Sequence, residues 1–226
     1  MLLEQSLFYR ITGCIKIPKR ASILFIKYQK KIFMKFYLSV AAAAILMVST
    51  ANAQHVNIGI KGGVNLYNLH TDNGPKYDTK TGFNAGLLGH IHLAPQIALQ
   101  PEVVYSAQGA KYTVAGSEYK TKLGYINVPV LLQYMFDNGF RLQAGPQIGF
   151  LINAKSEVNN VETNIKSQLK TVDFGVGAGI GYVEPSTGFG VDARYNLGLS
   201  KINETGAEKT TNRGFQLGVF YLFNHK

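Results

Sequence analysis

His90 and His92 sit two residues apart, with Glu102 and Ser106 downstream. Imidazoles at that spacing share one face of an extended strand, where they could ligate a metal ion. With a carboxylate and a hydroxyl added, the same group could form a hydrolytic triad. A second set is charged: Lys61, Glu102, Arg141, Asp173, Asp192 and Arg194. It holds three residues of each sign, and Asp192 and Arg194 again lie two apart. Buried together, such groups must pair, because an uncompensated buried charge costs several kcal/mol. The one cysteine, Cys14, rules out a disulfide framework and any cysteine-built metal site within one chain.

Strands must position these residues. From residue 55 onward apolar residues recur at every second position, the period of a strand, and no stretch sustains a helical period. Eight strands are expected, over 55–66, 80–93, 97–108, 119–135, 140–153, 171–183, 188–199 and 212–223. Their connections alternate in length. Tyr67 to Lys80, Gly109 to Glu118, Ala154 to Lys170 and Ser200 to Thr211 are long. Ala94-Pro95-Gln96, Asp137-Asn138-Gly139 and Glu184-Pro185-Ser186-Thr187 are short. The pattern predicts an all-β fold, an antiparallel up-and-down barrel with tight turns at one end and extended loops at the other. Pro101, Pro129 and Pro146 fall inside strands, where bulges or local bends are expected. The polar segment 154–170 is expected to be a solvated loop.

The strand faces decide which solvent surrounds the barrel. Over 171–183 one face is Val172, Phe174, Val176, Ala178, Ile180 and Tyr182, and the other is Asp173 followed by Gly175, Gly177, Gly179 and Gly181. Glycine on a water-facing strand weakens it for no return, but it fits a narrow lumen. Tyr105, Tyr134, Phe150, Tyr182, Phe189, Tyr195, Tyr221 and Phe223 fall near strand ends on the apolar face, as interfacial girdles do. The expectation is therefore a transmembrane barrel, apolar outside and polar within, rather than a lipocalin-like soluble one. Lipid forbids open strand edges, so the first strand must pair with the last. Eight strands leave an interior that side chains can fill.

That frame assigns roles. The six charges become a lumen charge network that plugs the barrel. His90 and His92 lie beside the tight turn at 94–96, at the periplasmic end, whereas a lipid hydrolase needs its site facing the outer leaflet. They are expected to hydrogen-bond within the lumen. No catalytic, cofactor-binding or metal site is expected.

The first fifty-three residues are expected to stand outside the barrel. Residues 34–53 read as a signal peptide: Lys35, an apolar run from Leu38 to Val48, and Ala51-Asn52-Ala53 as the cleavage site. The mature chain would start at Gln54. Residues 1–33 precede a complete signal peptide with its own Met34, and read as an upstream start-site extension. The formal net charge of +10 divides unevenly: residues 1–53 carry eight Lys/Arg and one acid, the rest fifteen and twelve. The mature chain keeps +3, which removes the case for nucleic acid.

Five segments stand out: Leu99-Gln100-Pro101-Glu102-Val103-Val104-Tyr105-Ser106, Tyr125-Ile126-Asn127-Val128-Pro129-Val130-Leu131-Leu132, Ala144-Gly145-Pro146-Gln147-Ile148-Gly149, Asp192-Ala193-Arg194-Tyr195-Asn196 and Gly63-Val64-Asn65-Leu66. They resemble the PorT-like outer membrane beta-barrel family of Bacteroidetes, with Asn127 where an acid is usual. The resemblance spans the mature chain and implies a signal-cleaved, OmpX/OmpA-like eight-stranded barrel in the Gram-negative outer membrane. It implies no reaction. The expected function is a non-enzymatic integral barrel with a structural or loop-mediated role; a narrow pore and a lipid-modifying enzyme are the alternatives. Expected partners are outer membrane lipids and, during insertion, the barrel-assembly machinery, which would read Phe223 as the assembly signal. Nothing names a partner for the loops.

Overall fold

The computed structural model describes residues 56–72, 77–114, 117–204 and 208–223. The upstream extension 1–33, the signal peptide 34–53, the start at Gln54 and the tail 224–226 lie outside the described residues. The strands are β1 (Val56–Thr71), β2 (Asp78–Ala94), β3 (Ile97–Val114), β4 (Ser117–Met135), β5 (Phe140–Val158), β6 (Val161–Asn164), β7 (Val172–Val183), β8 (Phe189–Gly198) and β9 (Thr210–Leu222). Eight of them form a closed antiparallel ring, in the spatial order β1-β2-β3-β4-β5-β7-β8-β9. Closure comes from β1 and β9, paired from Gly59↔Leu222 to Thr71↔Thr210. Among the described residues no helix is long and apolar enough to cross a membrane.

The burial pattern is inverted relative to a protein in water. Along β1, Val56, Ile58, Ile60, Val64 and Leu66 face outward, while Asn57, Lys61 and Asn65 are buried. Ile58 and Leu87 are each 59% exposed, whereas Glu102 and Arg194 are each 1% exposed. An apolar belt of this extent is stable only against hydrocarbon. Aromatic contacts edge the belt. At the short-turn end Tyr134 meets Phe136 at 5.0 Å and Phe189 meets Tyr221 at 4.6 Å. Toward the other end Phe83 meets Tyr105 at 5.4 Å and Tyr195 meets Phe215 at 4.8 Å.

Two expectations about the strands are corrected, and a third is narrowed. The connections 67–80 and 109–118 are shorter than expected, because β1, β2, β3 and β4 continue past the belt. Their ladder survives without lipid contact, held by pairs such as Tyr112 stacked on Tyr119 at 4.8 Å. Segment 154–170 is not one open loop. Strand β5 runs to Val158, turns through Asn159 and Asn160, and returns as β6, a ninth strand outside the ring. Both asparagines have positive φ, 49° and 64°, as a two-residue type I′ hairpin requires. Of the two forms expected at the prolines, bulges are absent, since the register is the same on both sides of Pro101↔Val130. The ladder is nevertheless interrupted beside them, between Pro101↔Val130 and Val104↔Asn127 and between Pro129↔Gln147 and Leu132↔Ala144. Register shifts occur instead at Thr79/Asn84, His92/Ala94 and Gly124/Tyr125.

Candidate functional site

The inward faces of β1, β3, β5, β7 and β8 carry the charged residues into the barrel. Arg194 donates two parallel hydrogen bonds to Glu102, Nη1 to Oε2 at 3.0 Å and Nη2 to Oε1 at 2.8 Å. The planar guanidinium matches a carboxylate in this way, and the charge-assisted bonds are stronger than neutral ones. Lys61 Nζ donates to Asp192 Oδ2 at 2.8 Å and reaches Glu102 Oε1 at 3.4 Å. Asp192 and Arg194 approach to 4.0 Å across one strand face. These two acids and two bases form one neutral, buried cluster.

Glutamines extend it. Gln100 donates to Glu102 at 2.7 Å, and Gln133 donates to Gln100 at 2.9 Å and to Gln143 at 3.1 Å. Of the six expected members, Lys61, Glu102, Asp192 and Arg194 therefore meet directly. Arg141 joins through Gln133, at 3.4 Å, and lies 5.7 Å from the Phe220 ring centroid. Asp173 stands apart from the cluster: Ser200 donates to it at 2.6 Å and Asn212 at 2.8 Å. The sequence balances the charges by sign, but Arg141 and Asp173 each begin one of two antiparallel neighbours, so they lie at opposite ends: Arg141 is opposite Gly181 and Asp173 opposite Gly149.

The inward glycines seat these side chains. A Cβ on Gly177 would lie 3.1 Å from Arg194 Cδ and 2.8 Å from Asn196 Oδ1. One on Gly181 would lie 3.2 Å from Arg141 Cγ, and one on Gly218 would lie 2.9 Å from Asp192 Oδ1. Each arginine thus lies across the bare backbone of the next strand.

Two apolar groups on the inward face went unnoticed in the sequence. Leu88, Val183, Phe220 and Leu222 pack together near the short turns. Leu69, Ala110, Leu123, Tyr125, Leu151, Ala154 and Ile202 pack together toward the extracellular end, joined by Tyr77, Ile165 and Leu169. Ile202 is fully buried there, held by backbone bonds from Lys170 N to Ile202 O at 2.7 Å and from Ile202 N to Thr210 O at 2.9 Å. The signal was available: Leu88, Leu151, Phe220 and Leu222 break the polar run of an inward face.

The hydrolytic grouping does not assemble. Ser106 pairs with Asn84 across β2 and β3, six residues from His90, roughly 20 Å along the strand. Its hydroxyl accepts from Asn65 at 2.9 Å and from Gln108 at 3.0 Å. His90 is buried, edge-on to His92 at 4.6 Å. Glu102 is committed to Arg194 and Lys61, and among the described residues no three His, Cys, Asp or Glu side chains are grouped to hold a metal.

A family model described as outer membrane protein beta-barrel domain matches residues 52–204. Neisserial surface protein A is a similar solved structure: TM-score 0.51 at 12% identity, covering 75% of this chain and 99% of that one. Ail, the attachment invasion locus protein of Yersinia pestis, matches at TM-score 0.48 and 18% identity, covering 74% of this chain and 98% of that one. No curated protein matches the chain.

Removing one member of the central cluster leaves its partners charged and buried. Glu102→Gln is expected to cost about 3–5 kcal/mol. Adding Arg194→Met to it should restore part of that loss. The check is urea unfolding in lipid vesicles, read as the heat-modifiable band on SDS gels. Equal stability of wild type and Glu102→Gln would contradict the cluster.

Proposed function

The chain belongs to the outer membrane protein beta-barrel domain family, and from that premise we infer a non-enzymatic barrel, closed to ions, that presents its extracellular strand extensions to partners. It is an integral β-barrel of the Gram-negative outer membrane. One observation carries the closed-lumen reading: the Arg194, Glu102, Lys61 and Asp192 cluster lies in a barrel that also holds an apolar group toward each end. Passage of a hydrated ion requires breaking a buried ion pair and displacing Ile202. The non-enzymatic reading is supported by Ser106 and Glu102 being engaged in hydrogen bonds away from either histidine.

Within the family we assign the chain to the PorT-like branch of Bacteroidetes. Support comes from the positions of its motifs: Gln100, Glu102 and Arg194 all belong to the central cluster. A source organism outside that phylum would refute the assignment. We also propose export by cleavage after Ala53, on the Ala51-Asn52-Ala53 motif that follows the apolar run from Leu38 to Val48. Intact-mass measurement of the membrane-extracted protein should give an N terminus at Gln54, and peptides from residues 1–33 would overturn the start at Met34.

Phe223 is the proposed signal for the assembly machinery. It is 42% exposed, edge-on to Tyr221 at 5.3 Å, and its N–H donates to Ile58 O at 2.7 Å. It thus fixes the closing seam and anchors the strand end at the interface. Phe223→Asp should lower outer membrane levels several-fold, while deletion of 224–226 leaves them unchanged; normal levels of Phe223→Asp would remove the proposal.

The closed lumen is tested in planar bilayers. The purified protein should show no steady conductance, and a reproducible open level would favour a narrow pore instead.

A further inference from the structure

Above the apolar belt, β3, β4, β5 and β6 continue as a protruding sheet, and one face of it is dense in lysine. Inside the belt, even-numbered residues of β4 such as Val130, Leu132 and Tyr134 point outward. The same parity carries Lys122 and Lys120 onto the outward face, because the irregularity at Gly124/Tyr125 inserts its extra residue in β5. Lys120 stands directly opposite Lys111 on β3, and Lys122 directly opposite Lys155 on β5. Like charges placed opposite each other on one sheet face are destabilising. On their other sides Lys111 stands opposite Asp78 and Lys120 opposite Glu157, so acids offset part of that repulsion.

Three glutamates answer these lysines in part. Glu118 meets Lys111 at 3.5 Å and Lys120 at 3.3 Å. Glu157 meets Lys120 at 3.4 Å and is also paired with Lys122. Glu162 meets Lys122 at 2.8 Å and Lys155 at 2.6 Å. Hydrogen bonds from Lys122 and Lys155 hold the Glu162 carboxyl down to about 2, so it stays ionised throughout neutral pH. Asp78 on β2 stands directly opposite Lys111, so these four lysines are matched by four acids. The cationic excess comes from Lys80, bonded to Gln108 O at 3.3 Å, and Lys166, bonded to Ile152 O at 2.9 Å, at the lower margin of the face.

Height selects the ligand. Tyr105, Ile126 and Phe150 are in register and mark the aromatic edge of the belt. Lys122 lies four residues beyond Ile126, roughly 10 Å higher for a strand tilted by about 40°. A bilayer's headgroup layer is about 5–8 Å deep on each side, and a lysine stem can bend back toward it. The ammonium groups therefore reach the headgroups of the outer leaflet, on the side of the barrel turned to lipid rather than to bulk water.

We propose that the outward face of β3–β6, centred on Lys122 and Lys155, binds the phosphate groups of a phosphorylated glycolipid in the outer leaflet. The site depends on the outer membrane location and not on the closed lumen, so the two readings fail separately. Phosphate takes the lysines as point charges, in competition with Glu157 and Glu162.

The test is native mass spectrometry of the full protein in non-ionic detergent, offered bisphosphorylated lipid A, monophosphorylated lipid A or phosphatidylethanolamine. Bisphosphorylated lipid A should be retained about tenfold more tightly than phosphatidylethanolamine, equivalent to about 1.4 kcal/mol, with the monophosphorylated form between them. Lys122→Gln/Lys155→Gln should lose that preference. Lys201→Gln/Lys209→Gln, on the connection between β8 and β9, should keep it. Glu157→Gln/Glu162→Gln should strengthen retention, because it frees the lysines; a purely structural salt-bridge ladder would instead leave retention unchanged or weaken it. That variant keeps every lysine and decides the matter even if the lysine variant fails to fold. Equal retention of all three lipids, an unaffected lysine variant, or displacement of the lipid by inorganic phosphate at equal phosphate concentration would each overturn the proposal.

Discussion

A backbone amide in hydrocarbon has no water to turn to, so each N–H and C=O of a spanning strand must find its partner in the protein, at a cost of several kcal/mol for each failure. The pairing of β1 with β9 meets that demand, and much of the molecule follows from it. A closed ring has no edge within lipid. Its outer face must be apolar and its inner face must be filled. Strand β6 lies outside the ring, paired only to the extension of β5 above the belt, where water can satisfy its free edge.

Closing eight strands leaves too little room for a water-filled channel and too much for backbone alone. This barrel fills the space with long polar side chains laid across glycine. Arg194 crosses Gly177 and Arg141 crosses Gly181, so the glycine-rich run of β7 is the complement of arginines on its neighbours. The central charges are neutral as a group, and burial is tolerable because each carboxylate is both paired and hydrogen-bonded. The apolar groups near the two ends have a different role. They shield the cluster from water, which would otherwise compete for its hydrogen bonds.

Much of this could be read in the residues. The period of two, the alternation of long and short connections and the glycines opposite Val176 and Ile180 together specify an inverted barrel. So does the sign balance of Lys61, Glu102, Asp192 and Arg194. What escaped has physical reasons. The hairpin at Asn159-Asn160 joins polar strands, and hydrophobic periodicity is silent where both faces meet water. Arg141 and Asp173 each stand second in consecutive antiparallel strands, which puts them at opposite ends of the barrel; a count of inward charges by sign ignores that height. The inward leucines stand as isolated exceptions on a polar face. Only when Leu69, Leu123 and Leu151 are brought together by β1, β4 and β5 do they become an apolar plug.

The central claim is the inversion itself: strands apolar toward lipid, with a filled interior that excludes water. Nitroxide labels placed singly along β9, from Thr211 to Tyr221, in a bilayer measure it most directly through their collisions with oxygen and with a water-soluble nickel chelate. Labels at Phe215, Leu217 and Val219 should collide with oxygen and not with the chelate, and a label at Gln216 should collide with neither. Chelate collisions at Phe215, Leu217 or Val219 would contradict the membrane-facing assignment, and chelate collisions at Gln216 would contradict the filled interior.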